Sequence, residues 1–277
     1  MGFFKTLFTG KEDTAEQKAE ERRQGDFDMF KYDGIQALRI GQVDFGIACL
    51  QRAISIHDDI EARQHLANAL LRKDDLDGAI KQLQHLASIR PDEPSVAITL
   101  AELYFQQEQY EEALSICNDA TDKFADMAQP HFIKAKVKRV QGDLLSAVAE
   151  ATIAISKDDN FVNAYLLRAG ILVDMGQNHE AEADVAHILS LNPDDEDALA
   201  IKAKCCAAAA RADEAEECYR HIIELNPFNA EAYLHLGQLL MLQGRTDEAT
   251  HLAEEALQYA PQQMETINGK FESEGRD

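Results

Sequence analysis

The sequence predicts an all-α solenoid assembled from repeated helix-turn-helix units, on three observations. Apolar residues fall at three- and four-residue spacings, small residues recur at the same two places about every 34 residues, and proline closes several of the units. The clearest copy is 230–261, AEAYLHLGQLLMLQGRTDEATHLAEEALQYAP. Its first helix carries Tyr233, Leu236, Gly237 and Leu240 on one face, because residues three and four apart share a side of an α-helix. Gly244 ends that helix. The second helix turns Ala249, Leu252, Ala253 and Ala256 inward, and Pro261 stops it, since proline lacks a backbone donor and clashes with the preceding turn.

Taken from the start, residues 1–10 hold Phe3, Phe4, Leu7 and Phe8 with Lys5 opposite, a short apolar contact segment of under three turns. From 11 to 24 the chain is densely charged, and Thr14 and Gln17 have the spacing of a capping box. We read 1–26 as a leader. Seven units follow: 27–59, 60–93, 94–127, 128–161, 162–195, 196–229 and 230–261. Their eighth residues are Gly34, Ala67, Ala101, Ala135, Ala169, Ala203 and Gly237, and their twentieth are Gly46, Ala79, Ala113, Ala147, Ala181, Ala215 and Ala249. Small residues in every one of these slots let the two helices of a unit approach closely. Pro91, Pro193, Pro227 and Pro261 punctuate four unit ends, and 262–277 is a short polar tail.

Composition narrows the function. With 50 acidic against 27 basic side chains and a net charge of −23, the chain repels nucleic acid and anionic lipid and favours basic partners. No apolar run reaches the length of about eighteen residues that a membrane span needs. Cys49, Cys117, Cys205, Cys206 and Cys218 form no CxxC pair and read as small core residues of a reducing compartment, so a cytoplasmic location is expected. Phosphate loops, nucleophile elbows and dinucleotide fingerprints are missing. His179-Glu180 begins like a zinc-protease helix, but Ala183 stands where the second histidine belongs. The expectation is a protein that is not an enzyme and uses no metal or cofactor.

A helix-turn-helix unit of this length, with an aromatic or apolar fourth residue, small eighth and twentieth residues and a terminal proline, resembles the tetratricopeptide repeat. The resemblance covers 27–261. The fourth residues are Phe30, Arg63, Ala97, His131, Tyr165, Leu199 and Tyr233, which leaves the second and fourth units the least regular. It implies a right-handed superhelix whose first helices line a concave groove, with the second, fifth, ninth, twelfth and thirteenth residues of each unit facing it. The implied function is a non-catalytic scaffold that binds peptide segments of partner proteins there.

Those positions supply Gln64, Asn68 and Arg72, then Ser95, Ile98, Glu102 and Phe105, then Gln129, Phe132, Lys136 and Arg139. Leu166 and Gln238 follow in later units. Lys136 and Arg139, one turn apart in an otherwise acidic chain, are expected to receive an acidic side chain or terminal carboxylate, with Phe105 and Phe132 gripping its apolar neighbours. The seventh residues Lys134, Arg168 and Lys202 are expected to pair with neighbouring carboxylates, as the resemblance implies. The carboxylate clamp of some family members is not matched, because Gln64 stands where a cation is needed. Two alternatives concern 2–8: a membrane-surface assembly factor, or self-association with the leader lying in a groove.

Overall fold

A computed structural model describes residues 14–259. The leader residues Phe3, Phe4, Leu7 and Phe8, and the tail 262–277, lie outside the described residues. Among the described residues there are fourteen helices and no strand. In order they are α1 (Ala15–Arg39), α2 (Val43–Ile56), α3 (Ile60–Arg72), α4 (Leu76–Ile89), α5 (Pro94–Gln106), α6 (Tyr110–Lys123) and α7 (Gln129–Val140). The series continues with α8 (Leu144–Lys157), α9 (Val162–Asp174), α10 (Asn178–Leu191), α11 (Glu196–Ala208), α12 (Ala212–Leu225), α13 (Ala230–Leu242) and α14 (Thr246–Tyr259). The fold is an all-α solenoid of paired helices. The chain divides into two compact bodies, Met1–Phe124 and Ala125–Asp277, and each is described by itself.

The pairing within a unit rests on the small residues. Ala67, Ala101, Ala135, Ala169 and Ala203 are fully or almost fully buried, as are Ala79, Ala113, Ala147, Ala181 and Ala215. A Cβ on Gly46 would stand 2.6 Å from the Leu38 side chain and 3.1 Å from the Gly34 carbonyl, so α1 and α2 touch through backbone. Gly237 differs: a Cβ there would meet nothing.

The turn between paired helices has one construction throughout. The fifteenth residue of every unit has positive φ, supplied by Gly41, Gly142, Gly176 and Gly244, and also by Asp74, Glu108 and Ala210. The sixteenth residue's N–H then donates to the eleventh residue's carbonyl, as from Arg211 to Cys206 at 2.8 Å, which satisfies a carbonyl at the helix end. Ala210, at φ 57°, has no side-chain oxygen to offset the crowding of its Cβ.

At the N-terminus the capping box forms: Thr14 N–H donates to Gln17 Oε1 at 2.8 Å, and Gln17 N–H to Thr14 Oγ1 at 3.3 Å. From there α1 runs without a break through 26/27 into the first unit. Residues 15–26 are exposed, and burial begins at Phe27, whose ring meets His57 edge-on at 5.3 Å. Later units are stapled by a recurring histidine. His85 reaches Asp58 at 2.7 Å and His221 reaches Asp194 at 3.0 Å, each tying a second helix to the turn that leads into its unit. First helices of successive units are neighbours, α1 with α3 in one body, and α7 with α9 and α9 with α11 in the other.

Two predictions follow from this construction. Ala210→Gly relieves the left-handed strain and should raise stability by about 1 kcal/mol, read as an upward shift of the thermal midpoint. Glu216 accepts from Arg245 at 2.5 Å and from Arg220 at 2.8 Å, and the Arg245 hydrogen bond holds its carboxyl below the usual range. A depressed carboxyl stabilises the fold above the ordinary carboxylate pKa and loses that contribution as pH falls. Wild type should therefore exceed Glu216→Gln by roughly 1 kcal/mol near neutrality. The gap should close in acid, as measured by denaturant unfolding across pH.

Candidate functional site

In the first body the fifth and ninth residues of α3 face the start of α5. Gln64 and Asn68 from α3, with Ser95 and Thr99 from α5, line a cleft of about 340 Å³. Its floor is apolar, built from Ala67, Leu83, Leu86 and Val96, while His65 and Glu93 complete the wall. Asn68 is exposed, so its carboxamide presents both a donor and an acceptor to anything in the cleft. The Thr99 hydroxyl donates to the Ser95 carbonyl at 2.9 Å. No lysine or arginine lines this cleft. Arg72, further along α3, turns away and donates to the Leu38 carbonyl at 3.4 Å, tacking α3 to the end of α1. On α5, Ile98 is half-buried and Glu102 exposed, and Phe105 is half-buried with its ring tilted against Tyr110 at 5.8 Å.

In the second body the basic pair of α7 is engaged from two sides. Lys136 Nζ lies 5.7 Å from the Phe132 ring centroid, and Phe132 packs at 4.9 Å against Phe161. Arg139 donates to Asp174 at 2.9 Å. Its guanidinium crosses α9 at Gly170, where even an added Cβ would sit only 3.6 Å away. Sequence reasoning named Arg139 but missed Asp174 and Phe161. Asp174 is the thirteenth residue of the next unit, one helix over, and the signal was its place in the groove register itself. Leu166 packs against the core formed by Ala169, Leu172 and Val185, and Gln238 Oε1 lies 3.3 Å from His235 Nδ1.

The seventh-position cations divide. Lys134 pairs with Glu150 at 2.7 Å, and Glu150 also meets His131 at 2.6 Å. Arg168 forks onto Asp184 at 2.8 and 2.6 Å and reaches the Thr152 hydroxyl at 2.9 Å. Asp184 is 4% exposed, a buried carboxylate that the fork satisfies. Lys202 departs from the expectation: the residue opposite it is Cys218, and no ion pair to Lys202 occurs among the described residues.

The cysteines are all buried and free. Burial pushes the Cys206 thiol up to about 11 and raises Cys205 and Cys218 as well, so these three are not poised as thiolate nucleophiles. Among the described residues no three His, Cys, Asp or Glu side chains converge as metal ligands, and no helix is long and apolar enough to cross a membrane.

Comparison with known proteins agrees with this architecture. Models of the tetratricopeptide repeat match residues 70–137 and 230–263, and a model described as the Psidin N-terminal TPR repeats region matches 141–241. No curated protein matches the chain in sequence. Among solved structures, a tetratricopeptide repeat protein from Parabacteroides merdae ATCC 43184 is 18% identical, with 73% of this chain and 80% of that one covered at a TM-score of 0.61. PilW, described as a widely conserved type IV pilus biogenesis factor, is 16% identical over 75% of this chain and 97% of its own, at a TM-score of 0.65. YrrB, described as a TPR protein with an unusual peptide-binding site, is 19% identical over 68% and 97%, at 0.55.

The Arg168–Asp184 pair gives a direct structural test. Asp184→Ala leaves a largely buried guanidinium without its counter-charge and should cost about 3 kcal/mol in denaturant unfolding. Asp174→Asn, at a half-exposed pair, should cost less than about 1 kcal/mol.

Proposed function

The chain belongs to the tetratricopeptide-repeat family, and on that premise we propose that it is a non-catalytic scaffold that binds peptide segments of partner proteins along the faces of its first helices. The observation that carries the reading is the cleft between α3 and α5. There Gln64, Asn68, Ser95 and Thr99 stand over an apolar floor. Amides and hydroxyls can satisfy the backbone of an extended peptide, while the floor takes a side chain. In the second body, Lys136 over Phe132, beside the Arg139–Asp174 pair, offers a mixed surface suited to a side chain that is partly apolar and partly acidic. YrrB, whose description includes a peptide-binding site, supports the analogy at the level of fold.

Affinity capture from a lysate of the source cell tests this. Wild type should retain a partner that Gln64→Ala/Asn68→Ala or Lys136→Glu/Arg139→Glu loses by about tenfold or more, with helical content unchanged. Retention of the same partners by both variants would remove the first-helix faces from consideration.

A second reading places a contact in the leader, as a membrane-surface or self-association element. It is favoured by the exposure of residues 15–26 of α1, which bury nothing among the described residues. Deleting 2–8 should then change liposome flotation or oligomeric mass, and leaves both unchanged if the leader is inert.

A further inference from the structure

The seventh and twenty-third residues of a unit face each other across the helix pair, and the series shows what that site tolerates. The fourth and fifth units hold opposite charges, Lys134 with Glu150 and Arg168 with Asp184. The third and seventh hold apolar residues at both places, Leu100 with Ile116 and Leu236 with Leu252. The first holds a carboxylate and a thiol, Asp33 and Cys49, and the sixth a cation and a thiol, Lys202 and Cys218. Burial keeps that thiol neutral, so it supplies no counter-charge. Lys202 makes no ion pair among the described residues, whereas the fourth and fifth units provide a carboxylate at the same place.

Lys202 also borders a cavity of about 370 Å³ between α10 and α11. Val185, Ala186 and Leu189 form its apolar wall, and Glu182, Ser190, Cys206 and Arg211 complete its lining. Arg211, at the start of α12, is tied to Glu182 and also to Glu214 at 3.1 Å, so its charge is already met. The size falls in the range of small-molecule sites. Lys202 and Cys206 are the seventh and eleventh residues of their unit, off the positions assigned to the peptide groove. The cavity is therefore a different site, and its case does not rest on peptide binding.

We infer that this cavity binds a small amphipathic monocarboxylate, with the carboxylate on Lys202 and the apolar body against Val185, Ala186 and Leu189. A charge-assisted hydrogen bond to the ammonium supplies polarity, and burial of the hydrocarbon supplies most of the affinity. A second negative charge on the ligand is disfavoured, because it would face either the apolar wall or Glu182.

Calorimetric titration of the full chain with octanoate, octanol and acetate tests the assignment. Octanoate should saturate one site, with octanol and acetate each at least about tenfold weaker. Lys202→Met should weaken octanoate about tenfold or more and leave octanol unchanged, while Lys202→Arg should hold octanoate within about threefold of wild type. Amide shifts on octanoate addition should centre on α10 and α11. Equal binding of octanoate and octanol by wild type overturns the proposal without recourse to any variant. No saturable octanoate binding, or undiminished binding by a folded Lys202→Met, overturns it as well.

Discussion

How closely two helices can approach is set by what stands between their backbones, and in this chain that is almost nothing. Alanine or glycine occupies the eighth and twentieth residues of every unit, and a Cβ at Gly34 or Gly46 would collide with a leucine side chain and stand within 3.2 Å of the facing backbone. Close approach leaves no space for a large side chain at those two places. The larger apolar residues, such as Ile133, Ile188 and Leu236, fill the spaces around these contacts. Stability then accumulates from paired helices and their interfaces, and no single central core is needed. The left-handed fifteenth residue belongs to the same constraint, since a tight reversal keeps the two helices of a unit antiparallel and adjacent.

With the backbone so fixed, variation between units is carried by polar side chains. Some of it holds neighbours together, as when Arg245 joins Glu216 of the preceding unit, or Arg139 reaches Asp174 of the following one. Some of it seals a single unit, as with Arg168 and Asp184. The remainder faces outward from the first helices, where Asn68 and Gln64 border a cleft with an apolar floor. On the proposed reading, such a scaffold would change partners by changing those outward residues while its small-residue register stays as it is.

The fold was largely legible in the sequence because its determinants are local and repeated. A 34-residue recurrence of small residues, with apolar spacings of three and four, specifies paired helices without any long-range information. Of the turns, only the one at Gly244 was read from the sequence; Gly41, Gly142 and Gly176 take positive φ at the same place, as do Asp74, Glu108 and Ala210, where the flanking helices impose it. The continuity of α1 through 26/27 was hidden, since residues 15–26 are polar on every side and show no apolar period. The candidate site was legible as positions but not as pairings. Asp174 lies 35 residues beyond Arg139, and only the stacking of α9 on α7 brings them together. Lys202 looked like its counterparts Lys134 and Arg168 until the residue opposite it proved to be a cysteine.

Whether partners lie on the outward faces of the first helices is decided by hydrogen exchange on the full chain with and without a captured partner. Exchange should slow on binding in α3 and α5, or in α7 and α9, with α2, α4, α8 and α10 unchanged. Protection confined to the second helices, or to residues 15–26 of α1, would contradict it.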